Sequence, residues 1–125
     1  MQNLILVMIG GGIGAGLRHL VNGAALRLAG PGLPWGTMAI NISGSFAMGL
    51  LVAVLARRSG DTNAVRLFIA TGVLGGFTTF SAFSLDFATL WERGASSQAF
   101  GYVAVSVLGS LAAIFAGLWL VRGIG

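Results

Sequence analysis

Apolar residues fill four stretches of the chain, at about residues 4–28, 35–56, 67–90 and 100–121. Each is close to the ~20 residues that a helix needs to cross a bilayer. Between them lie Ala29-Gly30-Pro31-Gly32-Leu33-Pro34, Arg57-Arg58-Ser59-Gly60-Asp61-Thr62-Asn63 and Glu92-Arg93-Gly94-Ala95-Ser96-Ser97. Their prolines, glycines and charges stop helices. The pattern predicts an all-α integral membrane protein: a single domain over residues 1–125, with four transmembrane helices joined by tight surface loops. The third stretch is interrupted by Gly75-Gly76, followed by Phe77-Thr78-Thr79-Phe80-Ser81-Ala82-Phe83. We expect the third helix to be broken near its middle, at the glycine pair. A break frees backbone carbonyls and amides at membrane depth, where they are tolerated only against protein or in a wet cavity. Broken membrane helices of this kind form binding sites.

Composition strengthens the membrane reading. Charged residues make up 8% of the chain, hydrophobic ones 56%, and mean hydropathy is +0.92, against about 25% charge in a typical soluble domain. The N-terminus lacks a basic region before its apolar run, so the first segment is expected to stay in the membrane rather than be cleaved. There is no cysteine and a single histidine, His19, which excludes a disulfide scaffold and a thiolate metal site. A net charge of +4 would suggest nucleic acid in a soluble protein, but the arginines are scattered at helix ends without clustered aromatics. No nucleic-acid partner is expected. With four spans, Arg57, Arg58, Arg66 and Arg122 fall on the side of the termini, and Arg27 and Arg93 opposite, with Arg18 assigned to neither side, a weak positive-inside bias. A weak bias permits insertion in both orientations. Four helices are too few to enclose a pathway alone, and an inverted pair would place a site near the midplane between two copies.

Some motifs reduce to packing. Gly10-Gly11-Gly12-Ile13-Gly14-Ala15 matches a dinucleotide fingerprint, but no acidic residue occurs before Asp61, and the motif requires one about 20 positions on. The pairs Gly10/Gly14 and Gly12/Gly16 instead fit close packing between membrane helices. Polar residues are harder to dismiss. Thr37, Asn41 and Ser45 recur every four residues, as do Tyr102, Ser106 and Ser110, so each set lies along one face of its helix. Interhelical hydrogen bonding accounts for a hydroxyl, whereas an amide such as Asn41 needs several partners or a pathway to line. Phe80 and Phe83 share a face beside the hydroxyls of Thr79 and Ser81. Phenylalanines at this spacing commonly pack a core, yet their ring edges are also weakly positive and can favour an anion.

Gly11-x-x-Gly14-Ala15-x-x-Arg18, Trp35-Gly36-Thr37-x-x-x-Asn41-x-x-Gly44-Ser45-Phe46 and Thr71-Gly72-x-x-Gly75-Gly76-Phe77-Thr78-Thr79-Phe80-Ser81-x-Phe83 together resemble the Fluc (CrcB) family of fluoride channels. The match covers the first three helices in order. The resemblance implies an antiparallel, dual-topology homodimer in the bacterial inner membrane that passes fluoride passively and relieves its toxicity. It implies two pores, a shared structural sodium ion and rejection of chloride. By the same resemblance, Phe80 and Phe83 would be pore phenylalanines and Asn41 the pore amide. The backbone carbonyls of Gly75 and Thr78 from both subunits would hold the sodium. Tyr102, Ser106 and Ser110 would be the polar track of the fourth helix, and Thr37, Thr79 and Ser81 further lining hydroxyls. Arg18 matches an arginine that closes the first motif, where it would attract anions to a vestibule or snorkel to headgroups. The family usually has threonine where this chain has Ala82, so one hydroxyl beside the phenylalanines is missing.

The chemistry suits such a path. Fluoride holds its water strongly, so several modest donors must replace the hydration shell while leaving the ion free to move on. Two other classes compete. A small dual-topology multidrug exporter would need a membrane-embedded carboxylate to carry protons. Asp86 is the only acid within a predicted span, and we expect it to cap or to pair with an arginine. A non-transporting membrane scaffold would explain the glycines but not the polar tracks. Enzymatic activity has no support, because no nucleophile, base and orienting group form a set.

Overall fold

The computed structural model describes residues 2–124, and all regular structure among them is helical. Helix α1 spans Gln2–Ala29 and α2 spans Trp35–Ala56. Helix α3 covers residues 63–77 in three consecutive segments, the middle one, Arg66–Leu74, being a π-helix. Helix α4 is Phe80–Glu92 and α5 is Ser96–Ile124. Taken with α3 and α4 as one rod, Asn63–Glu92, four helical rods of 22 to 30 residues are long and apolar enough to cross a membrane. The chain is thus built as a multi-pass membrane protein. Its outer surface agrees: Leu28 is 88% exposed and Leu108 67%, arrangements that lipid, not water, makes favourable.

The third rod is broken two residues later than the glycine pair suggests. Gly75 is helical at φ −64°, ψ −36°, and the helix runs on to Phe77. Thr78 (φ −78°, ψ 157°) and Thr79 (φ −154°, ψ 123°) are extended. Two β-branched residues favour that conformation. The Ala82 amide donates to Thr79 Oγ1 at 3.2 Å, so Thr79 starts α4 as its N-cap.

The glycines serve packing instead. A Cβ on Gly76 would lie 2.5 Å from the Gly11 carbonyl oxygen and 2.9 Å from its Cα, and one on Gly14 would strike the Val73 carbonyl and lie 2.7 Å from the Phe77 nitrogen. Helices α1 and α3 therefore meet backbone to backbone. Gly10 belongs to the same contact, against Phe68, Gly72 and Val73 of the π-helical segment. Gly12 and Gly16 do not, since a Cβ on either would meet nothing within 4 Å; this second pair faces out of the chain. A matching seam joins α2 to α5, where a Cβ on Gly117 would lie 2.5 Å from the Phe46 carbonyl oxygen and one on Gly49 would strike the Ile114 carbonyl. Small residues that allow backbones to approach are how helices associate in lipid.

Helices α2, α4 and α5 share a small core in which Met38, Leu90, Ala99 and Tyr102 are buried, with Leu33, Ile42, Phe83, Phe87 and Ala95 packed against them. Helix α4 is held at its far end by a Schellman motif: Ala95 N–H donates to the Leu90 carbonyl at 3.0 Å and Gly94 N–H to the Trp91 carbonyl at 3.0 Å, with Gly94 at φ +79°. Both ends of α4 are therefore fixed.

Candidate functional site

A cavity of about 360 Å³ opens beside the break. Helix α2 contributes Asn41 and Ser45, the break Thr78 and Thr79, α4 Phe80 and Phe83, and α5 Ser106 and Ser110; Met48, Leu111 and Ile114 complete the wall. The two polar faces read from sequence thus converge on the phenylalanines. Thr37 and Tyr102, at the other end of those faces, are buried but do not line this cavity. Thr37 lines a second cavity of about 390 Å³ with Asn22, Ala82, Asp86, Thr89 and Arg93. Ser81 is exposed, Arg18 is half-buried on α1, and neither lines either cavity.

At the break itself Asn41 makes a two-point bond to Thr79. Asn41 Nδ2 donates to the Thr79 carbonyl at 3.1 Å, and Thr79 N–H donates to Asn41 Oδ1 at 2.9 Å. In a continuous α-helix Thr79 N–H would bond the Gly75 carbonyl and Ala82 N–H the Thr78 carbonyl. Both donors are diverted, one to Asn41 and the other to Thr79 Oγ1. The carbonyls of Gly75 and Thr78 are left without their helical partners. Oxygen atoms of this kind suit a hard cation of low charge. Among the described residues no group of three or more His, Asp or Glu side chains could hold a metal, so backbone oxygen is the donor set on offer.

The aromatic side chains form a short series. The Phe80 and Phe83 centroids are 5.6 Å apart with planes tilted by 43°, and Phe83 and Tyr102 are 5.2 Å apart with a tilt of 38°. Phe80 is 77% exposed, so the cavity is open on that side of the chain. Tyr102 O–H donates to Asp86 Oδ2 at 3.1 Å. The expected pairing of Asp86 with an arginine is not made: the nearby Arg93 donates from Nη2 to the Gly32 carbonyl at 2.9 Å. The bond between Tyr102 and Asp86 went unseen in sequence because residues 16 apart on separate helices carry no shared period. Asn41's hold on the backbone was equally hidden, since a side chain's choice of a backbone partner leaves no trace in spacing.

Ser106 is the exceptional group. Its Oγ is buried, at 4% residue exposure, and has no partner at hydrogen-bonding geometry, the Tyr102 hydroxyl beside it already donating to Asp86, although it lines the cavity. Buried hydroxyls are nearly always satisfied, so an orphan beside a void points to something that occupies the void. No charged side chain lines this cavity. It offers hydroxyls, an amide and ring edges, all neutral and each a weak partner for an anion.

Residues 5–118 match the family model described as CrcB-like protein, Camphor Resistance (CrcB). The chain belongs to the CrcB family. It is 70% identical over 124 residues to a protein of Mesorhizobium japonicum named fluoride-specific ion channel FluC, a match covering 99% of each chain. A protein of the same name from a Chelativorans species is 61% identical over 124 residues, again covering 99% of each. One from Sphingopyxis alaskensis is 54% identical over 122 residues, covering 98% of this chain and 97% of that one. The CrcB match spans all four helical rods, including the break and the cavity that it adjoins.

Proposed function

We propose that this protein is a channel that lets fluoride move passively across the bacterial inner membrane and so relieves fluoride toxicity. The observation that carries this is the orphaned Ser106 Oγ in a cavity lined by neutral donors and by Phe80 and Phe83. A cationic side chain would hold fluoride too tightly for it to leave, whereas a succession of modest donors offsets dehydration and still releases the ion. The names borne by the relatives from Mesorhizobium and Chelativorans agree with this reading.

The working unit in this reading is an antiparallel, dual-topology homodimer with two pores. A single copy leaves Phe80 largely exposed and the cavity open on one side, which a second copy would close. The freed carbonyls of Gly75 and Thr78, contributed by both copies, would hold a central sodium ion. That ion would supply a fixed positive centre at the midplane. Asn41 and Thr79 leave those carbonyls free of helical bonds, while Ser106, Ser110 and the two ring edges receive fluoride. Tyr102, Thr37 and Ser81 continue the path towards its ends, and Arg18 draws anions towards a vestibule.

Drug export is the weaker reading. Its proton carrier would have to be Asp86, which lines the other cavity and accepts a hydrogen bond from Tyr102. The test is reconstitution of the protein alone into liposomes, with fluoride and chloride efflux followed by ion-selective electrodes. Fluoride efflux far above chloride efflux is expected. No fluoride efflux from folded, reconstituted protein would overturn the proposal, and uphill fluoride movement under an imposed cation gradient would replace a channel with a coupled carrier.

A further inference from the structure

We propose that Asn41 is a positioning residue: a clamp that holds the backbone of the break in its extended form and thereby places Phe80 at the start of α4. A carboxamide is planar and presents an acceptor and a donor side by side, as a peptide group does. An extended residue turns its own N–H and C=O to the same side, the arrangement that antiparallel strands use for two-point pairing. Thr79, at φ −154° and ψ 123°, has that conformation, and its two backbone groups meet the two polar atoms of Asn41 at 2.9 and 3.1 Å. Asn41 thus substitutes for the neighbouring strand that an isolated extended residue in a helical protein lacks.

The surroundings fit this role. Gly44, one turn along α2 from Asn41, has no Cβ, and one built there would strike Thr78 Cγ2. Helix α2 therefore offers a recess for Thr78 next to a two-point bond for Thr79. The same bond keeps Thr79 N–H away from the Gly75 carbonyl, so the helix cannot close through the break. Because Thr79 is also the N-cap of α4, its position fixes the first turn of that helix and with it the ring of Phe80. Only Asn supplies this pair of atoms at this reach: Asp lacks the donor, Ala lacks both groups, and Gln is one carbon longer.

The consequence for flux rests on the fluoride-channel reading, and the consequence for the backbone does not. The test uses the full-length protein in lipid nanodiscs, comparing wild type with Asn41→Asp and Asn41→Ala by hydrogen–deuterium exchange and, after reconstitution, by fluoride efflux. Asn41→Asp conserves volume and serves if Asn41→Ala does not fold. Amides of residues 79–83 should exchange at least about tenfold faster in the variants, as expected when stabilising hydrogen bonds are lost, with those in α1 and α5 unchanged, and fluoride efflux should fall. Exchange in residues 79–83 that is unchanged or slower would overturn the clamp even if efflux fell, since an amide that only solvated fluoride would give that result. Faster exchange with full efflux would overturn the positioning role. A wild type without efflux would remove the channel reading, while exchange would still decide the clamp.

Discussion

A buried polar group with no partner costs about 1–3 kcal/mol, which places two opposite demands on Ser106. Its hydroxyl burdens the fold, having no partner, and in the proposed channel would benefit an ion in the cavity. Ser106→Ala should therefore raise the thermal stability of the protein, by about 1 kcal/mol, while lowering fluoride efflux several-fold. Stability read by thermal unfolding in detergent and efflux read in liposomes must move in opposite directions. If both fall together, Ser106 is a packing residue. The phenylalanines invite a different measurement, because their apolar bulk and their ring edges can be separated. Phe80→Leu or Phe83→Leu keeps most of the bulk and removes the edge, worth about 0.5–1.5 kcal/mol in aromatic contacts. Efflux is expected to fall by up to about tenfold per ring, on the scale of 1.4 kcal/mol for each factor of ten, with the cross-linking pattern of the wild type retained. Leucine variants with unchanged efflux would return both rings to packing. These residues were legible in the sequence because a four-residue period puts Asn41 with Ser45 and Ser106 with Ser110 whatever surrounds them. Tyr102 and Thr37 obey the same period yet lie outside the cavity, because period fixes a face and not how far along that face the cavity extends.

At the scale of helices, sequence located the break in the right stretch but assigned it to the wrong residues. Glycine is read as a helix breaker because of its backbone freedom, but in lipid its lack of a side chain matters more. Gly76 is helical and sits against the backbone of Gly11, whereas Thr78 and Thr79 leave the helix. The difference lies mainly in tertiary contacts, made by α1 on one side and Asn41 on the other, to which the β-branching of the two threonines adds only a weak local preference. The π-helical segment Arg66–Leu74 was invisible for the same reason, its composition being that of any apolar helix. Gly14→Ala and Gly76→Ala should destabilise the protein by more than about 2 kcal/mol, at the upper end of overpacking costs, because the added methyl meets main chain that cannot rotate away. Gly23→Ala, where nothing lies within 4 Å, should change stability by less than about 0.5 kcal/mol. Thermal unfolding of the three variants checks the ranking. A Gly76→Ala protein as stable as wild type would mean that the α1–α3 seam is looser than its geometry implies.

For the whole molecule, the open question is how an incomplete site becomes complete. The chain divides into an α1–α3 seam and an α2–α5 seam, with the break and its cavity beside α4, and this leaves Phe80 on the outside. Lipid could cover Phe80, but the lining hydroxyls would then border hydrocarbon, where neutral donors have no partners. A second, inverted copy would supply protein on that side and would set two breaks close together, as the proposed sodium site needs. Dual insertion is what makes such a pair available, and the arginines leave it open: Arg57, Arg58, Arg66 and Arg122 stand against Arg27 and Arg93, a small bias for a rule that depends on excess. Because the chain has no cysteine, one introduced at the exposed loop position Ser59 reports orientation without background. In intact cells a membrane-impermeant maleimide applied outside should label about half of Ser59→Cys molecules, as equal insertion in both orientations requires, and permeabilisation should expose the rest. Labelling of all molecules from outside, or of none, would mean a single orientation. It would overturn the antiparallel dimer while leaving open a parallel assembly around the same cavity.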